Sequence, residues 1–321
     1  MKTALICGIT GQDGTYLANH LLGNNYAVFG TSRDAQRANM KGLQSLNIRK
    51  KVTLISMASN DFRSVLDALV QSEPDEVYYL AGQSSVGLSF DQPSETLESI
   101  TLGTLNLLEA IRFLDIPIKL YHASSSECYG DLGEEAAIEG TPFRPRSPYA
   151  IAKASAHWLI ANYREAYGMF SCNGISFNHE SPLRPERFVT KKIISAACRI
   201  ANGSSEKLKL GRLDIVRDWG WAPEYVDAMW RMLQQENPDD YIIATGKSYS
   251  LEKFVNEAFS LLSLEWKEHV SIDESIYRPT DISRNEGNPT YAEKKLGWKA
   301  TVFMSDVVKK MIKAEMEPEH D

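Results

Sequence analysis

The first half of the chain alternates between two kinds of apolar pattern. Short, nearly continuous apolar runs (TALICG, YAVFGTS, VTLIS, EVYYLAG, IKLYHASS and SCNGISF) read as strands buried on both faces. Between them lie TYLANHLLGNN, DFRSVLDALVQS, ETLESITLGTLNLLEAIRFL and SPYAIAKASAHWLIANYREAYG, whose apolar residues recur at helical spacing. Pro148 sits near the start of the last of these, where a helix tolerates proline. The repetition predicts β-α-β units and therefore an α/β fold with a doubly wound, Rossmann-like parallel sheet.

After about residue 177 the alternation loosens. FNHESPLRPERFVTKK reads as a loop rich in Pro and Arg, and helices are expected in RFVTKKIISAACRIANG, in EYVDAMWRMLQQ, from Ser250 to about Leu262, and after Gly297-Trp298. We expect a dinucleotide-binding domain over 1–176 with a returning segment at about 213–246. A smaller, mixed α/β substrate domain over 177–212 and 247–321 would close over the carboxyl ends of the sheet. The charged tail MEPEHD is expected to fray.

Composition narrows the function class. The chain of 321 residues is 43% hydrophobic and 24% charged, as ordinary globular proteins are. Its net charge of -7 argues against a general nucleic-acid binder but leaves room for a local basic pocket. No window approaches the roughly 20 apolar residues of a membrane span, and MKTALICGITG runs straight into glycines instead of a cleavage site. A cytoplasmic protein is therefore expected. Cys7, Cys128, Cys172 and Cys198 are far apart and form no metal-ligand spacing, so buried thiols and no metal are expected.

The first strand leads into Gly8-Ile9-Thr10-Gly11-Gln12-Asp13-Gly14 and then a helix. Glycines at such a turn let the backbone approach a pyrophosphate, which the helix N-terminus attracts. The G-x-x-G-x-x-G spacing points to the short-chain dehydrogenase branch of the fold. After the second strand come Thr31, Ser32 and Arg33, with Asp34 next; hydroxyls and a guanidinium there favour NADP over NAD. Tyr149 and Lys153 lie four apart on one helical face, where an ammonium together with a nicotinamide cation favours phenolate. The stretch SSSECYG at 124–130 follows a strand. Ser125 or Ser126 there could act on a substrate oxygen and Glu127 as a base on carbon, although the same residues also suit a polar loop with a helix cap.

The motifs GITGQDG, SSSECYG, SPYAIAK, FNHESP, RFVTKK, RDWG, YIIATG, GNP and LGWK occur in order over nearly the whole chain. Together they make the sequence resemble the GDP-mannose 4,6-dehydratases, which are extended short-chain dehydrogenases. The resemblance implies that Tyr149 takes the proton of the sugar's 4-hydroxyl as hydride leaves C4 for NADP. Glu127 then takes the C5 proton, water leaves C6 with acid help, and hydride returns to C6; Ser125 occupies the family's hydroxyl position two residues before the glutamate and is the expected hydroxyl partner. It also implies a cofactor site at Gly8, Thr10, Gly11, Gln12, Asp13, Gly14, Arg33, Leu80, Ala81, Gly82, Gln83, Tyr149, Lys153, His179 and Arg184. The GDP-sugar would be held by Ser84, Ser85, Asn178, Lys192, Arg217, Arg278 and Asp281. A homodimer or homotetramer is implied as well.

Three departures mark this chain. Ser125 stands where the family usually has threonine, Arg33-Asp34 replaces a pair of arginines, and Ser56-Met57-Ala58 replaces an adenine-reading aspartate. One such subgroup resembles dehydratases of GDP-manno-heptose. A nucleotide-sugar epimerase or 4-keto reductase would keep Tyr149 and Lys153 without a role for Glu127, and a nonenzymatic NADP-sensing protein would dispense with both.

Overall fold

The computed structural model describes residues 1–317; the last four residues of the tail expected to fray lie outside the described residues. The apolar runs form β1 (Thr3–Cys7), β2 (Ala27–Ser32), β3 (Val52–Ser56), β4 (Glu76–Tyr79), β5 (Lys119–Ser125) and β6 (Ser171–Ser176). Shorter strands follow: β7 (Asn178–Glu180), β8 (Leu208–Leu210), β9 (Val216–Trp221), β10 (Asp240–Ile243), β11 (Ser248–Ser250), β12 (Val270–Ile272) and β13 (Arg284–Asn285). The helices of the first part are α1 (Gln12–Gly23), α2 (Lys41–Ser45), α3 (Phe62–Ser72), α4 (Val86–Asp91), α5 (Pro93–Leu97), α6 (Gly103–Leu114) and α7 (Pro148–Tyr167). Those of the second are α8 (Val189–Ala201), α9 (Ala222–Leu233), α10 (Leu251–Ser260), α11 (Thr290–Leu296) and α12 (Met304–Met316).

Seven strands form one parallel sheet in the order β3-β2-β1-β4-β5-β6-β10. Alternate residues of β1 point to opposite faces. Ala4 and Ile6 join a core with Leu17, Leu21, Met229 and Met232 of α1 and α9. Leu5 and Cys7 join another with Val65, Leu107, Leu108 and Ile160 of α3, α6 and α7. Strand order reverses between β1 and β4, which opens a crevice at their carboxyl ends, the place where ligands bind in such sheets.

A third core gathers α8, α10 and α12 around Trp219, Phe254 and Phe259. Its sheet is built on β9, which pairs in parallel with β7 and β13 and antiparallel with β11. The chain then returns: α9 and β10 rejoin the large sheet layers, and Trp298 packs there, donating its indole N–H to Glu224 O at 2.9 Å.

Two expectations are corrected. FNHESP is not all loop, because Asn178–Glu180 pairs with Trp219–Trp221 as β7. A three-residue polar strand carries no periodicity to read, and it is fixed instead by its buried Glu180, which accepts from Thr190 at 2.8 Å. The single helix expected from Glu95 to Leu114 is interrupted by a π turn at Glu98–Leu102. There Ser99 O accepts a hydrogen bond from Tyr79 Oη at 3.3 Å, and a Cβ on Gly103 would collide with that same hydroxyl.

The glycine turn after β1 is tight. Gly8 has φ +89°, Gly11 N–H donates to Gly8 O at 3.1 Å, and α1 starts at Gln12 with Gly11 as an N-cap that offers no side chain to its first N–H groups. A Cβ on Gly14 would lie 2.7 Å from Ile9 Cα and run into Gly8 O. Gly14→Ala should therefore cost about 1–3 kcal/mol of stability by overpacking, read as a lower urea midpoint, together with weaker dinucleotide binding. An unchanged midpoint with unchanged dinucleotide affinity would show that the turn is not under this constraint.

Candidate active site

The end of β5 carries its polar run without leaving a hydroxyl loose. Ser124 Oγ lies 3.1 Å from His157 Nδ1, Ser125 Oγ accepts from Glu127 N–H at 3.3 Å, and Ser126 Oγ accepts from Asn285 Nδ2 at 3.3 Å. All three serines are buried, and the strand turns at Ser125 into a short 3₁₀ helix over Ser126–Tyr129 that presents Glu127 to a cavity.

Across that cavity, α7 begins at Pro148 with Ser147 as its N-cap, the Ser147 hydroxyl accepting from Ala150 N–H at 3.1 Å. This start sets Tyr149 in the first turn and Lys153 one turn on, with the Lys153 ammonium 5.9 Å from the centre of the Tyr149 ring. Lys153 donates to Ala123 O at 2.7 Å, so α7 is tied to the strand that carries Ser125 and Glu127. Burial lowers the Lys153 amine to about 8. It raises the Tyr149 phenol above its ordinary range, against the pull of the Ser125 hydroxyl. Burial outweighs the Ser125 hydroxyl and the Arg184 charge, both of which lower it, and a cationic ligand at the site would add to their effect.

Glu127 lines the same cavity within electrostatic reach of two cations. Burial raises its carboxyl, Arg217 and Arg278 oppose that rise, and Asp281 adds to it. Asp281 Oδ1 lies 3.1 Å from Arg217 Nη2 and 3.4 Å from Arg278 Nη1, so one carboxylate holds two guanidinium groups together. Arg217 is only 4% exposed and also donates to Val216 O at 3.0 Å. Lys192 donates to Lys209 O at 2.7 Å. This is a basic wall on an acidic protein, suited to a diphosphate.

Two cavities of about 600 and 640 Å³ share Asp13, Leu80, Ser84 and Arg184. The first contains Ser85, Ser125, Glu127, Tyr149, Lys153, Asn178, His179, Lys192, Arg217, Arg278 and Asp281. The second contains Gly8, Thr10, Gly11, Gln12, Gly14, Arg33, Ala81, Gly82 and Gln83. Every candidate residue thus lines one of two adjoining chambers, and the second fits a dinucleotide. Its floor is a backbone cradle in which a Cβ on Gly8 would press to 3.2 Å against Ala81. Arg33 is the outlying member, 85% exposed and 3.3 Å from Glu95. Sequence reasoning did not single out Arg187, Phe188, Arg212 or Tyr277, which also line the chambers. Arg187 and Phe188 open the RFVTKK motif, but nothing local separates them from surface residues. Cys128, beside the cavity, is buried and its thiol is pushed up to about 12, which removes it as a nucleophile.

The chambers meet at a clamp. His179 stands 2.9 Å by Nε2 from Asp13 Oδ2 and 2.7 Å by Nδ1 from Phe177 O, and stacks on Tyr225 at 4.5 Å. Both nitrogens face acceptors, so the doubly protonated ring satisfies them together. Burial alone would depress His179, but Asp13 outweighs it and the pKa is raised; for Asp13 burial raises, His179 outweighs, and the pKa is lowered. The stabilisation that His179 contributes is therefore complete below about pH 6.5 and is lost as pH rises through its raised pKa. The melting-temperature gap between wild type and His179→Phe should accordingly shrink as pH rises from about 6.5, whereas a gap constant across that range would show that the pair does not carry charge.

Comparison with known proteins follows the same lines. The sequence model for the family described as GDP-mannose 4,6 dehydratase matches residues 5–311. A GDP-mannose 4,6 dehydratase of Arabidopsis thaliana is 45% identical over 329 aligned residues, covering 98% of this chain and 87% of its own. Among solved structures, a dTDP-glucose 4,6-dehydratase of Bacillus anthracis in complex with NAD superposes with a TM-score of 0.86 at 18% identity, covering 99% of this chain and 98% of its own. The RMD protein of Pseudomonas aeruginosa complexed with NADPH superposes with a TM-score of 0.81 at 22% identity, with 99% of both chains covered. These two likenesses bear on the fold.

Proposed function

The chain belongs to the GDP-mannose 4,6-dehydratase family, and from that premise we propose how its residues convert GDP-mannose to GDP-4-keto-6-deoxymannose and water. The observation that carries the proposal is a carboxylate, Glu127, in the same cavity as Tyr149 and Lys153. A 4-keto reductase or a 4-epimerase needs the phenol and the ammonium; loss of water needs a base on carbon as well.

A nicotinamide dinucleotide held along the glycine turn supplies a hydride acceptor at the sugar's C4 and a hydride donor at C6. Tyr149, with its phenol aimed into the cavity and Lys153 behind it, removes the proton of the 4-hydroxyl. The resulting ketone acidifies the C5–H bond, and Glu127 takes that proton. Its raised pKa suits a group that must accept a proton and then pass one to a departing hydroxyl. Ser125, which caps the Glu127 turn, assists departure of water from C6. Arg217 and Arg278, braced by Asp281, take the diphosphate, with Lys192 and Asn178 lining the same cavity.

NADP is our choice of cofactor over NAD, supported by Thr31, Ser32 and Arg33 at the end of β2; Arg33 must leave its exposed pair with Glu95 to meet a 2′-phosphate. A cytoplasmic setting is supported by four free, buried cysteines, as expected where thiols stay reduced. Self-association into a homodimer or homotetramer is supported by the exposed Leu97, Leu102, Ile151 and Trp158 on neighbouring α5, the π turn and α7.

Incubation with GDP-mannose and NADP+, with NAD+ and GDP-manno-heptose as parallel arms, should yield a 4-keto-6-deoxy product fastest from GDP-mannose with NADP+. Glu127→Gln should bind cofactor normally and lose at least about a hundredfold in kcat, the usual scale for a general base. Dehydration by that variant at the wild-type rate would remove Glu127 from the reaction, and no water loss from any arm would end the reading as a whole.

A further inference from the structure

Behind the cavity runs a buried polar chain that the reaction above does not use. His122 and Ser124 are alternate residues of β5 and so face the same side of the sheet. His122 Nδ1 lies 2.9 Å from Asn173 Oδ1, and Asn173 Nδ2 donates to Asp240 Oδ1 at 3.0 Å and to His157 O at 3.2 Å. Asp240 Oδ2 lies 3.5 Å from His157 Nε2, and His157 Nδ1 lies 3.1 Å from Ser124 Oγ, which closes the circuit on β5. Arg164 meets Asp240 with two parallel bonds of 2.9 and 3.0 Å. The Phe143 ring packs against the imidazole at 72°, with centroids 4.8 Å apart, and His157 is buried.

Resting on the dehydratase reading, we propose that His157 is a positioning residue for that reaction, fixing the Ser124 hydroxyl and with it the end of β5 that aims Ser125 and Glu127 at the sugar. The Asp240 carboxylate, 3.5 Å from Nε2, and the Ser124 hydroxyl, 3.1 Å from Nδ1, fix the tautomer of His157. Asp240 is acceptor only and already neutralised by Arg164, so the proton of a neutral imidazole belongs on Nε2 and Nδ1 is left as an acceptor. Burial favours that neutral form, lowering the His157 pKa. Ser124 must then donate to Nδ1, and it presents lone pairs, not a proton, to the cavity it lines. With Lys153 holding Ala123 O, consecutive residues of the strand end are pinned from α7 alone. The buried chain thus acts on geometry; His157 itself does not line the cavity.

Two isosteric substitutions separate this role from plain packing. In His157→Asn the side-chain oxygen takes the place of Nδ1 and still accepts from Ser124; in His157→Gln the amide takes the place of Nε2 on the Asp240 side and leaves Ser124 without an acceptor. We expect His157→Gln and His157→Phe to lower kcat about tenfold, the worth of one buried hydrogen bond, with KM for GDP-mannose and NADP+ affinity unchanged, and His157→Asn to restore most of the rate. Equal rates for the Asn and Gln variants, or losses confined to KM, cofactor affinity or melting temperature, would overturn the assignment. Imidazole nitrogen chemical shifts of the wild-type protein give a readout independent of turnover. They should report an unprotonated Nδ1 that shifts in Ser124→Ala, and a protonated Nδ1 or an unmoved signal would overturn it too. A wild-type protein inactive on GDP-mannose but with the expected imidazole signature would count against the dehydratase reading and leave the hydrogen-bond circuit standing.

Discussion

A buried ammonium donating to a main-chain carbonyl sets the geometry of the site. Lys153, 7% exposed, reaches from α7 to Ala123 O on β5. An unpaired ammonium in such a place would be costly, so the helix and the strand are held at the separation this bond requires. That separation places Tyr149 across from Ser125 and Glu127. The rest of the strand end is fixed residue by residue: Ser124 by His157, also on α7, Ser126 by Asn285 on β13, and Ser125 by the turn it caps. The large and small sheets therefore meet within the four consecutive residues Ala123 to Ser126, since β13 belongs to the small sheet.

Electrostatics divides the labour in the cavity. Lys153 is lowered to about 8 by burial, and Glu127 is raised by burial despite two nearby guanidinium groups. Both groups are thereby drawn toward neutral pH, the range in which proton transfer in either direction is accessible. The arginines themselves are not free charges. Asp281 pairs with both, which keeps Arg217 tolerable in its buried position and presents a preformed cradle to an incoming diphosphate.

The large sheet was legible because its strands are continuous apolar runs and its helices carry unbroken amphipathic spacing. The residues that line the candidate site were legible for a different reason: glycines at a strand-to-helix turn, and a tyrosine four residues before a lysine, have few uses that need that order. The small sheet was not legible. β7, β9, β11 and β13 are short and partly polar, and they are held by register with distant segments, Asn178 beside Trp219 and Arg284 beside Val216. The π turn at Glu98–Leu102 hides inside a good helical pattern because its cause, the Tyr79 hydroxyl, comes from another strand. The pairing of Asp281 with Arg217, 64 residues apart in sequence, was invisible for the same reason, although each residue had been picked out singly.

The central claim is that one cavity oxidises the sugar, removes water and reduces the product again without net change in the cofactor. GDP-mannose carrying deuterium at C4 tests it most directly. The account predicts a 4-keto product with deuterium in its C6 methyl group and cofactor recovered in its starting oxidation state. Deuterium released to water, or reduced cofactor accumulating in step with product, would contradict it.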